Sequence, residues 1–304
     1  MKILLIGKNS FIGKNFITFS KFNDIQEVDS INLIPEKFNF SKFDVIIHLA
    51  AIVHQSKQIS IEKYLKVNAE FPVQVAKKAK SNGVKQFIFL STTKVYGDNP
   101  PPVGYWDEGS ECNPTDAYGL SKHKAEQELL ALSVSTFTVS IVRTPLVYGE
   151  GVKANMLSLM KLVNRVPILP FKGINAKRSI TFIGNLTAYI DRIIEIRAMG
   201  IFLAQDKEPV SVEELVRLIA AGLKRKTFLF NPGKLLLRLV KELAPSIYAR
   251  LFSSSVIDNS ATVKELDLNI PYTTKDGIEI MAVSYTHLRA HETVLDLVCR
   301  LLLE

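Results

Sequence analysis

The sequence predicts an α/β protein with a doubly wound parallel sheet, followed by a smaller, helix-rich C-terminal portion. Helical patterns separate short apolar runs that are typical of buried strands: Ile3–Ile6, Val45–Leu49, Phe87–Leu90, Val139–Val142 and Ile201–Ala204. A glycine-bearing turn directly follows the first of these runs. Because a helix between two strands returns the chain to the same end of a sheet, this alternation favours parallel pairing.

The composition is that of an ordinary globular protein. The chain of 304 residues is 47% hydrophobic and 22% charged, and no apolar run is long enough to cross a bilayer. The first residues form a strand-like run instead of a secretion signal, so we expect a cytoplasmic protein. The two cysteines, Cys112 and Cys299, are too few for a disulfide framework and lack the spacing of a metal site. We therefore expect no metal.

The net charge of +8 is spread along the chain. The basic residues form no stripe interleaved with aromatic side chains, which is the arrangement expected of a nucleic-acid-binding surface. We therefore expect no nucleic acid as a partner. The charge is interpreted as a solvated surface that also favours small anionic ligands.

The turn after the first strand has the residues of a dinucleotide-binding loop. Gly7, Ser10 and Gly13 have the spacing of a G-x-x-G-x-x-G loop, with Ser10 at the middle position. Such a loop turns tightly and directs the start of the next helix, here Phe11 and Ile12, at a pyrophosphate. The sequence therefore predicts that a dinucleotide binds at this turn.

Asp29 indicates which dinucleotide is bound. It follows Gly7 by 22 residues, at the expected end of a second strand. A carboxylate at this point accepts hydrogen bonds from the adenosine ribose and repels a 2′-phosphate, which favours NAD. Lys8 is a basic neighbour of the loop, so NADP is kept as the alternative.

Tyr118 and Lys122 are predicted to be a catalytic pair. Thr92 follows a strand-like run, and Tyr118 comes 26 residues later, at the start of a helical pattern. A spacing of four puts Lys122 on the same helix face as Tyr118, where its ammonium is expected to favour the ionised phenol. Lowering the pKa of a tyrosine from about 10 toward 7 requires about 4 kcal/mol.

The glycine loop, Thr92 and the Tyr118–Lys122 pair together resemble the extended short-chain dehydrogenase/reductases, within them the NAD-dependent epimerase/dehydratase family. The resemblance covers residues 1–185 closely and the rest loosely. It implies a Rossmann-type fold and a nicotinamide cofactor. It also implies that Tyr118 exchanges the proton of a sugar hydroxyl, that Thr92 hydrogen-bonds the same oxygen and that Lys122 holds the nicotinamide ribose.

The same resemblance implies further cofactor-binding residues. They are Leu49, Ala50 and Ala51, in a stretch similar to D-x-x-I/V-x-x-A-A/G, the helix asparagine Asn68, which braces the strands around the site, and Pro145 on the nicotinamide side. His48 lies in the same apolar run, and we interpret it as a core histidine whose hydrogen bonds are satisfied.

The resemblance also implies a substrate. Asn155 falls where related sugar-nucleotide enzymes have a substrate-binding asparagine, and Arg178 matches an arginine that binds the diphosphate. A guanidinium suits phosphate oxygens because it donates two parallel hydrogen bonds. Thr92 and Thr93 are expected to contact the sugar. The expected partner is a nucleoside diphosphate sugar, UDP-linked, and the expected assembly is a homodimer.

The reaction itself is left open between alternatives. Family 4,6-dehydratases carry an Asp-Glu pair after the catalytic threonine, and Thr93 and Lys94 stand there in this chain, which disfavours dehydration. A 4-epimerase and an NAD(P)H-dependent 4-ketoreductase of a UDP-4-keto-6-deoxy sugar in surface-polysaccharide biosynthesis remain. A non-catalytic NAD(P)-binding sensor is the alternative of another class, and the presence of Thr92, Tyr118 and Lys122 argues against it.

Three segments are predicted along the chain. Residues 1–150 form the cofactor-binding domain, joined by a returning strand near 179–204, and residues 151–282 form mainly the substrate-binding portion. In that portion a capping box begins at Ser211. The cationic, leucine-rich stretch Lys234–Leu251 is compatible with a helix on a membrane surface, but packing against the body of the protein is favoured.

Residues 283–304 are predicted to be a non-native tail. The strings VSYTHLRAHET and DLVCRLLLE within it resemble in-frame translations of a sequencing-library adapter. His287 and His291, four residues apart, are therefore not interpreted as a helical metal pair. On this interpretation the native C-terminal sequence is replaced within a helix-like segment.

Overall fold

The computed structural model describes residues 1–53, 59–99, 103–233, 238, 241–243 and 254–286. Most of the leucine-rich stretch Lys234–Leu251 therefore lies outside the described residues. Of the predicted tail, residues 283–286 continue a helix that begins at residue 274, and residues 287–304 lie outside the description. The foreign origin of the tail stays a prediction.

The secondary structure alternates between strands and helices over most of its length. The strands are β1 (Ile3–Ile6), β2 (Ile25–Val28), β3 (Val45–His48), β4 (Gln86–Thr92), β5 (Thr138–Thr144), β6 (Leu146–Tyr148), β7 (Ile168–Leu169), β8 (Lys177–Arg178), β9 (Ile180–Phe182), β10 (Gly200–Leu203), β11 (Val210–Ser211) and β12 (Phe228–Leu229). The helices are α1 (Phe11–Phe19), α2 (Ile61–Leu65), α3 (Phe71–Ser81), α4 (Ala117–Leu130), α5 (Ala154–Arg165), α6 (Ile183–Ile196), α7 (Val212–Gly222), α8 (Ser260–Leu266) and α9 (residues 274–286).

The central sheet has the strand order β10-β5-β4-β3-β1-β2, and every neighbouring pair is parallel. The predicted α/β class with a doubly wound parallel sheet is confirmed. β1 lies between β2 and β3. The chain therefore adds β2 on one side of β1 and then crosses to add β3 on the other side. Such a reversal opens a crevice at the carboxyl ends of the strands, and this is where ligands of these sheets bind.

One face of the sheet packs against α3 and α4. Successive strand residues point to opposite faces, so Leu4 and Ile6 of β1 join a buried cluster with Phe87 and Phe89 of β4. The helices add small and apolar residues to that cluster: Ala69, Val73, Ala76, Ala125 and Leu129. β1, β3 and β4 are buried along their whole length, and this is why they appear in the sequence as continuous apolar runs.

The chain divides into two compact units. The first consists of Met1–Leu146, Ile183–Gln205 and Val256–Pro271, and it contains the central sheet. The second consists of Val147–Phe182, Asp206–Ser255 and Tyr272–Glu304. The predicted assignment of cofactor and substrate binding to separate parts of the chain stays a prediction. Among the described helices, none is long and apolar enough to span a membrane.

The second unit is built on short strand pairs around a buried carboxylate. β8 pairs with β11 and β7 with β12, and the side chain of Ser211 caps α7 by accepting from Glu214 N–H at 3.1 Å. Asp206 is fully buried and accepts hydrogen bonds from the Tyr148 hydroxyl at 2.7 Å and from Phe182 N–H at 2.8 Å. The Asp206 carboxylate therefore connects β6 and β9.

Candidate active site

The loop between β1 and α1 has a backbone conformation that glycine alone supports at its first position. Gly7 has φ +126°, and a Cβ added there would lie 3.1 Å from the backbone nitrogen of Ala50. The loop therefore runs directly alongside the end of β3, where Leu49 and Ala50 donate their N–H groups to Ile6. This close approach forms a cradle of small residues at the crevice in the sheet, and it suits a pyrophosphate.

Ser10 has a role that the glycine pattern does not predict. It is the N-cap of α1, and its hydroxyl accepts from Gly13 N–H at 3.0 Å. Its φ of −67° is accessible to every residue, so the middle position of this loop needs no glycine. The N–H groups of Phe11 and Ile12, at the start of the helix, are those that an anion would accept from.

Asp29 directly follows β2, whose carboxyl end lies beside that of β1. Its carboxylate accepts from Ile31 N–H at 3.0 Å and from the Asn32 side chain at 3.2 Å. A carboxylate has further lone pairs, so these bonds leave it able to accept from a ribose. A neighbouring cavity of about 510 Å³ is lined by residues that follow β2, residues that follow β3 and residues of the helical segment that leads into α3: Ser30, Ile31, Ala50, Ala51, Ile52, Lys66, Val67, Glu70, Phe71 and Gln74.

Asn68 connects the loop after β3 to the helix of Tyr118. It lies in a π-helical segment, Lys66–Glu70, that joins α2 to α3, and it is fully buried. Its amide accepts from Ile52 N–H at 2.8 Å and donates to the Ile52 carbonyl at 2.9 Å and to the Ser121 hydroxyl at 3.1 Å. π-Helical turns are frequent at functional sites. Asn68 thus braces the site as expected from the resemblance, while its direct contact with a cofactor stays a prediction.

Asn68→Leu is expected to lower the free energy of unfolding by about 2 kcal/mol, because it leaves both polar groups of the partly buried Ile52 backbone without their partner. Urea denaturation measures this change. Asn23→Leu, at an exposed loop position, is the matched control and is expected to have no effect. Equal stability of the two variants would contradict the role assigned to the Asn68 amide.

Thr92 and Tyr118 come together at the carboxyl end of β4. The side chain of Thr92 acts on the Tyr118 hydroxyl and lowers the pKa of Tyr118, against the larger and opposite effect of burial. Tyr118 lies in the first turn of α4, whose N-cap Asp116 accepts from Gly119 N–H at 2.7 Å. Gly119 permits this arrangement, because a Cβ there would lie 2.6 Å from the Lys94 carbonyl oxygen. The sequence prediction did not include Gly119.

The charge states of Tyr118 and Lys122 depend on their burial. Burial raises the pKa of Tyr118 to about 12, whereas the predicted lowering depends on Lys122 and an oxidised nicotinamide acting together. The Lys122 ammonium donates to the Leu90 carbonyl at 2.7 Å and lies 4.2 Å from the centre of the Phe89 ring. Burial lowers the pKa of Lys122 to about 7. In this conformation Lys122 is bound to β4, and desolvation dominates the titration of both groups.

His48 is buried as expected, but its hydrogen bonds are not satisfied. Neither ring nitrogen has a partner, and the ring contacts Phe71, Phe87 and Phe89 at centroid distances of 5.7, 6.2 and 5.9 Å. Burial, and secondarily the charge of Lys122, lowers the pKa of His48 to about 3. The imidazole is therefore neutral and serves as an aromatic part of the wall around Lys122.

The other predicted residues are found in both units. In the first unit, the partly buried Thr93 begins a 3₁₀ turn, and the partly buried Pro145 lies between β5 and β6. In the second unit, the exposed Asn155 is in the first turn of α5, and the partly buried Arg178 is in β8, which pairs with β11. Substrate binding by Thr93, Asn155 and Arg178 stays a prediction.

The sequence prediction also missed a buried charged group beneath Thr92. Glu126, one helical turn after Lys122, is 1% exposed, and its two carboxylate oxygens share the Arg143 Nε–H at 3.2 Å each, while Oε2 also accepts from Nη2 at 2.6 Å. It also accepts from the Ser91 hydroxyl. The position of Glu126, four residues after Lys122 on the same helix face, was the sequence signal that could have identified it.

Comparisons with known proteins identify the family. The sequence profile of the NAD dependent epimerase/dehydratase family matches residues 3–200. A UDP-glucose 4-epimerase from Vibrio cholerae is 32% identical over 311 residues, which cover 93% of this chain and 95% of that protein.

Two solved structures have the same fold. A dTDP-4-dehydrorhamnose reductase from Clostridium acetobutylicum matches with a TM-score of 0.75 at 22% identity, over 92% of this chain and 98% of that one. A UDP-glucuronic acid 4-epimerase from Bacillus cereus, solved in complex with NAD, matches with a TM-score of 0.71 at 18% identity, over 95% and 99%. The family match and the 32% identical relative confirm the expected enzyme class and its NAD dependence, and the chain belongs to the NAD dependent epimerase/dehydratase family.

Proposed function

We propose that this protein is a nucleotide-sugar epimerase that acts at C4 of a UDP-linked hexose, with NAD as its bound cofactor. The observation that carries the proposal is that Thr92, at the end of β4, and Tyr118, in the first turn of α4, come together in the same unit as the glycine loop. The 32% identity to a UDP-glucose 4-epimerase over nearly the whole chain supports the choice of reaction.

The loop and helix start that hold the cofactor are formed by small residues and backbone N–H groups. Gly7 and Gly13 let the backbone approach the pyrophosphate, and the first N–H groups of α1 donate to it. Leu49, Ala50 and Ala51 line the adjacent strand end. Lys122 and Pro145 would lie toward the nicotinamide, which supplies the hydride chemistry at the sugar carbon.

Tyr118 and Thr92 are assigned to the reacting hydroxyl. The phenol of Tyr118 exchanges a proton with the C4 oxygen, while the Thr92 hydroxyl orients that oxygen. Lys122, with a pKa lowered to about 7, is partly charged at neutral pH and favours the phenolate as that proton moves. Asn155 and Arg178 are the proposed contacts to the sugar nucleotide, and Arg178 carries the charge that suits a diphosphate.

A 4-ketoreductase is the second candidate function. It is favoured by the Ser-Thr-Thr-Lys-Val string that begins at Ser91, because this string resembles that of epimerase-like 4-reductases. The two functions differ in their use of cofactor, because a reductase consumes one NAD(P)H for each sugar whereas an epimerase consumes none.

Purified protein, supplied in turn with UDP-hexoses and with UDP-4-keto sugars, distinguishes these functions. An epimerase is expected to interconvert the C4 epimers of a UDP-hexose with no added NADH and no net change in absorbance at 340 nm. Stoichiometric oxidation of NAD(P)H with a 4-keto sugar would instead establish the reductase. No turnover of either class, together with bound cofactor, would overturn the proposal.

The preference for NAD is proposed to depend on Asp29. Asp29→Asn keeps an oxygen for Ile31 N–H but removes the negative charge, so we expect the ratio of the NADP to the NAD dissociation constant to fall about tenfold. Isothermal titration of both cofactors measures the ratio. The control variant Asp24→Asn, at an exposed position before β2, is expected to leave it unchanged. If Asp29→Asn also leaves the ratio unchanged, Asp29 does not select the cofactor.

A further inference from the structure

Glu126 of α4 and Arg143 of β5 form a buried ion pair. Arg143 is in β5 and is 3% exposed, and its Nη1 donates to the Tyr96 hydroxyl at 2.9 Å. That hydroxyl in turn donates to the Asp107 carbonyl at 2.7 Å. Ser91, Tyr96, Glu126 and Arg143, here called the Glu126 network, thus join α4 to β4, to β5 and to the loop that follows β4.

Each member of the Glu126 network is a short distance along the chain from a residue of the proposed site. Ser91 directly precedes Thr92, and Arg143 is followed by Thr144, whose hydroxyl donates to the Ser91 carbonyl at 3.2 Å. Glu126 is one helical turn beyond Lys122 and two beyond Tyr118 on one face of α4. The network therefore fixes the helix that carries both proposed catalytic side chains against the strand end that carries Thr92.

We propose that Glu126 is a positioning residue for catalysis, whose buried carboxylate holds α4 against β4 and β5 and supplies the negative charge that offsets the ammonium of Lys122. Glu126 touches neither Tyr118 nor the proposed position of the substrate, and it acts through Lys122 and Ser91. The catalytic part of this inference rests on the proposed function.

The charges around Lys122 support this assignment. In the described part of the chain, His48 from β3 and Glu126 from α4 interact electrostatically with its ammonium, Arg143 from β5 pairs with Glu126, and Tyr118 precedes Lys122 by one turn of α4. His48 and Tyr118 are neutral near pH 7, because burial lowers the pKa of the first and raises that of the second. Burial lowers the pKa of Lys122, and Glu126 opposes that change by raising it.

Glu126 also belongs to a group of residues that could bind a metal ion, but its hydrogen bonds disfavour metal binding. Ligand atoms of Cys112, His123 and Glu126 lie within 4.8 Å of one another. The Glu126 carboxylate is already bound by Arg143, whose positive charge opposes a cation at that point. Burial also raises the pKa of the Cys112 thiol, which disfavours the thiolate that a metal needs.

The test measures the pKa of Lys122 directly by NMR on the full chain labelled with ¹³C- and ¹⁵N-lysine, the signal being assigned with Lys122→Met. Glu126→Gln is expected to lower the pKa of Lys122 by about one pH unit, because the opposing charge is lost. Glu128→Gln, at an exposed position of the same helix, is expected to leave it unchanged. An unchanged pKa in folded Glu126→Gln would overturn the proposal.

Because Glu126→Gln leaves Arg143 buried without its partner, the double variant Glu126→Gln/Arg143→Met provides a second test with no unpaired charge. Its Lys122 pKa is expected to stay lowered, since the carboxylate is absent there too. A purely structural role predicts instead that the double variant returns to the wild-type pKa, which would also overturn the proposal.

Turnover provides the catalytic test of the inference. In both variants we expect kcat to fall about tenfold, with the cofactor dissociation constant unchanged and the alkaline limb of the pH profile moved to lower pH. Unchanged kcat in a variant with a lowered Lys122 pKa would overturn the catalytic role. If the wild-type protein turns over no sugar nucleotide, the proposed function fails, and the NMR titration still decides whether Glu126 controls the charge of Lys122.

Discussion

Tyr118→Phe is expected to lower kcat about 10³-fold while leaving the affinity for the cofactor unchanged. The substitution removes the hydroxyl alone, so the ring keeps its packing in the first turn of α4. What is lost is the proton exchange with the sugar oxygen, and positioned acid/base groups contribute about 10²- to 10⁴-fold to rates. Loss of kcat without loss of cofactor binding is the signature of an interaction made in the transition state.

The measurement for Tyr118→Phe is steady-state turnover of the sugar nucleotide that the wild-type protein converts, together with cofactor titration. Tyr105→Phe is the matched control, because Tyr105 is 38% exposed and removal of its hydroxyl is expected to leave kcat unchanged. Wild-type turnover by Tyr118→Phe would show that another group exchanges the proton. The assignment of Tyr118 would then be wrong.

Gly119→Ala is expected to lower kcat about 10²-fold and to destabilise the fold by about 1–2 kcal/mol. Alanine favours a helix over glycine by about 1 kcal/mol, so propensity alone predicts stabilisation. The new Cβ, however, would meet the Lys94 carbonyl oxygen at 2.6 Å and Pro114 Cβ at 3.1 Å. Overpacking costs about 1–3 kcal/mol, and backbone atoms cannot yield as the end of a flexible side chain can.

The activity loss in Gly119→Ala has a geometric cause. Relief of the clash moves the start of α4 away from the Thr93–Tyr96 turn, and Tyr118 moves with it, away from Thr92. Misplacement of a reacting group by about 1 Å can cost about 10²-fold in rate. Denaturation and turnover measure the two effects. Gly109→Ala, whose Cβ would meet only Asp107 Oδ1 at 3.7 Å, is the control and is expected to change neither.

The sequence was sufficient for the fold because its signals are local. Continuous apolar runs predict strands buried on both faces, and the glycine at position 7 predicts a turn that no side chain fits. The N-cap of α7 at Ser211 likewise depends on residues three positions apart. Each of these features is decided within a few residues, and the structure has all three.

The site was less predictable because its decisive contacts join distant parts of the chain. Ser121 and Ile52 meet at Asn68, and Arg143 reaches Glu126 from another strand. No local pattern states that these residues meet. Spacing alone could not give the pKa of Tyr118 for the same reason: it predicts a nearby lysine, but it does not reveal that the ammonium binds the Leu90 carbonyl or that burial raises the pKa of the phenol.

Because the amide of Asn68 hydrogen-bonds to both ends of the site, we expect ligand binding at the two ends to be thermodynamically coupled. The amide holds the Ile52 backbone after β3 with one set of hydrogen bonds and the Ser121 hydroxyl of α4 with another. A ligand that orders the Ile52 backbone therefore also orders the first turn of α4, and linkage makes that effect reciprocal. By whatever factor cofactor tightens the binding of sugar nucleotide, sugar nucleotide must tighten the binding of cofactor, and Asn68→Leu should weaken both effects equally.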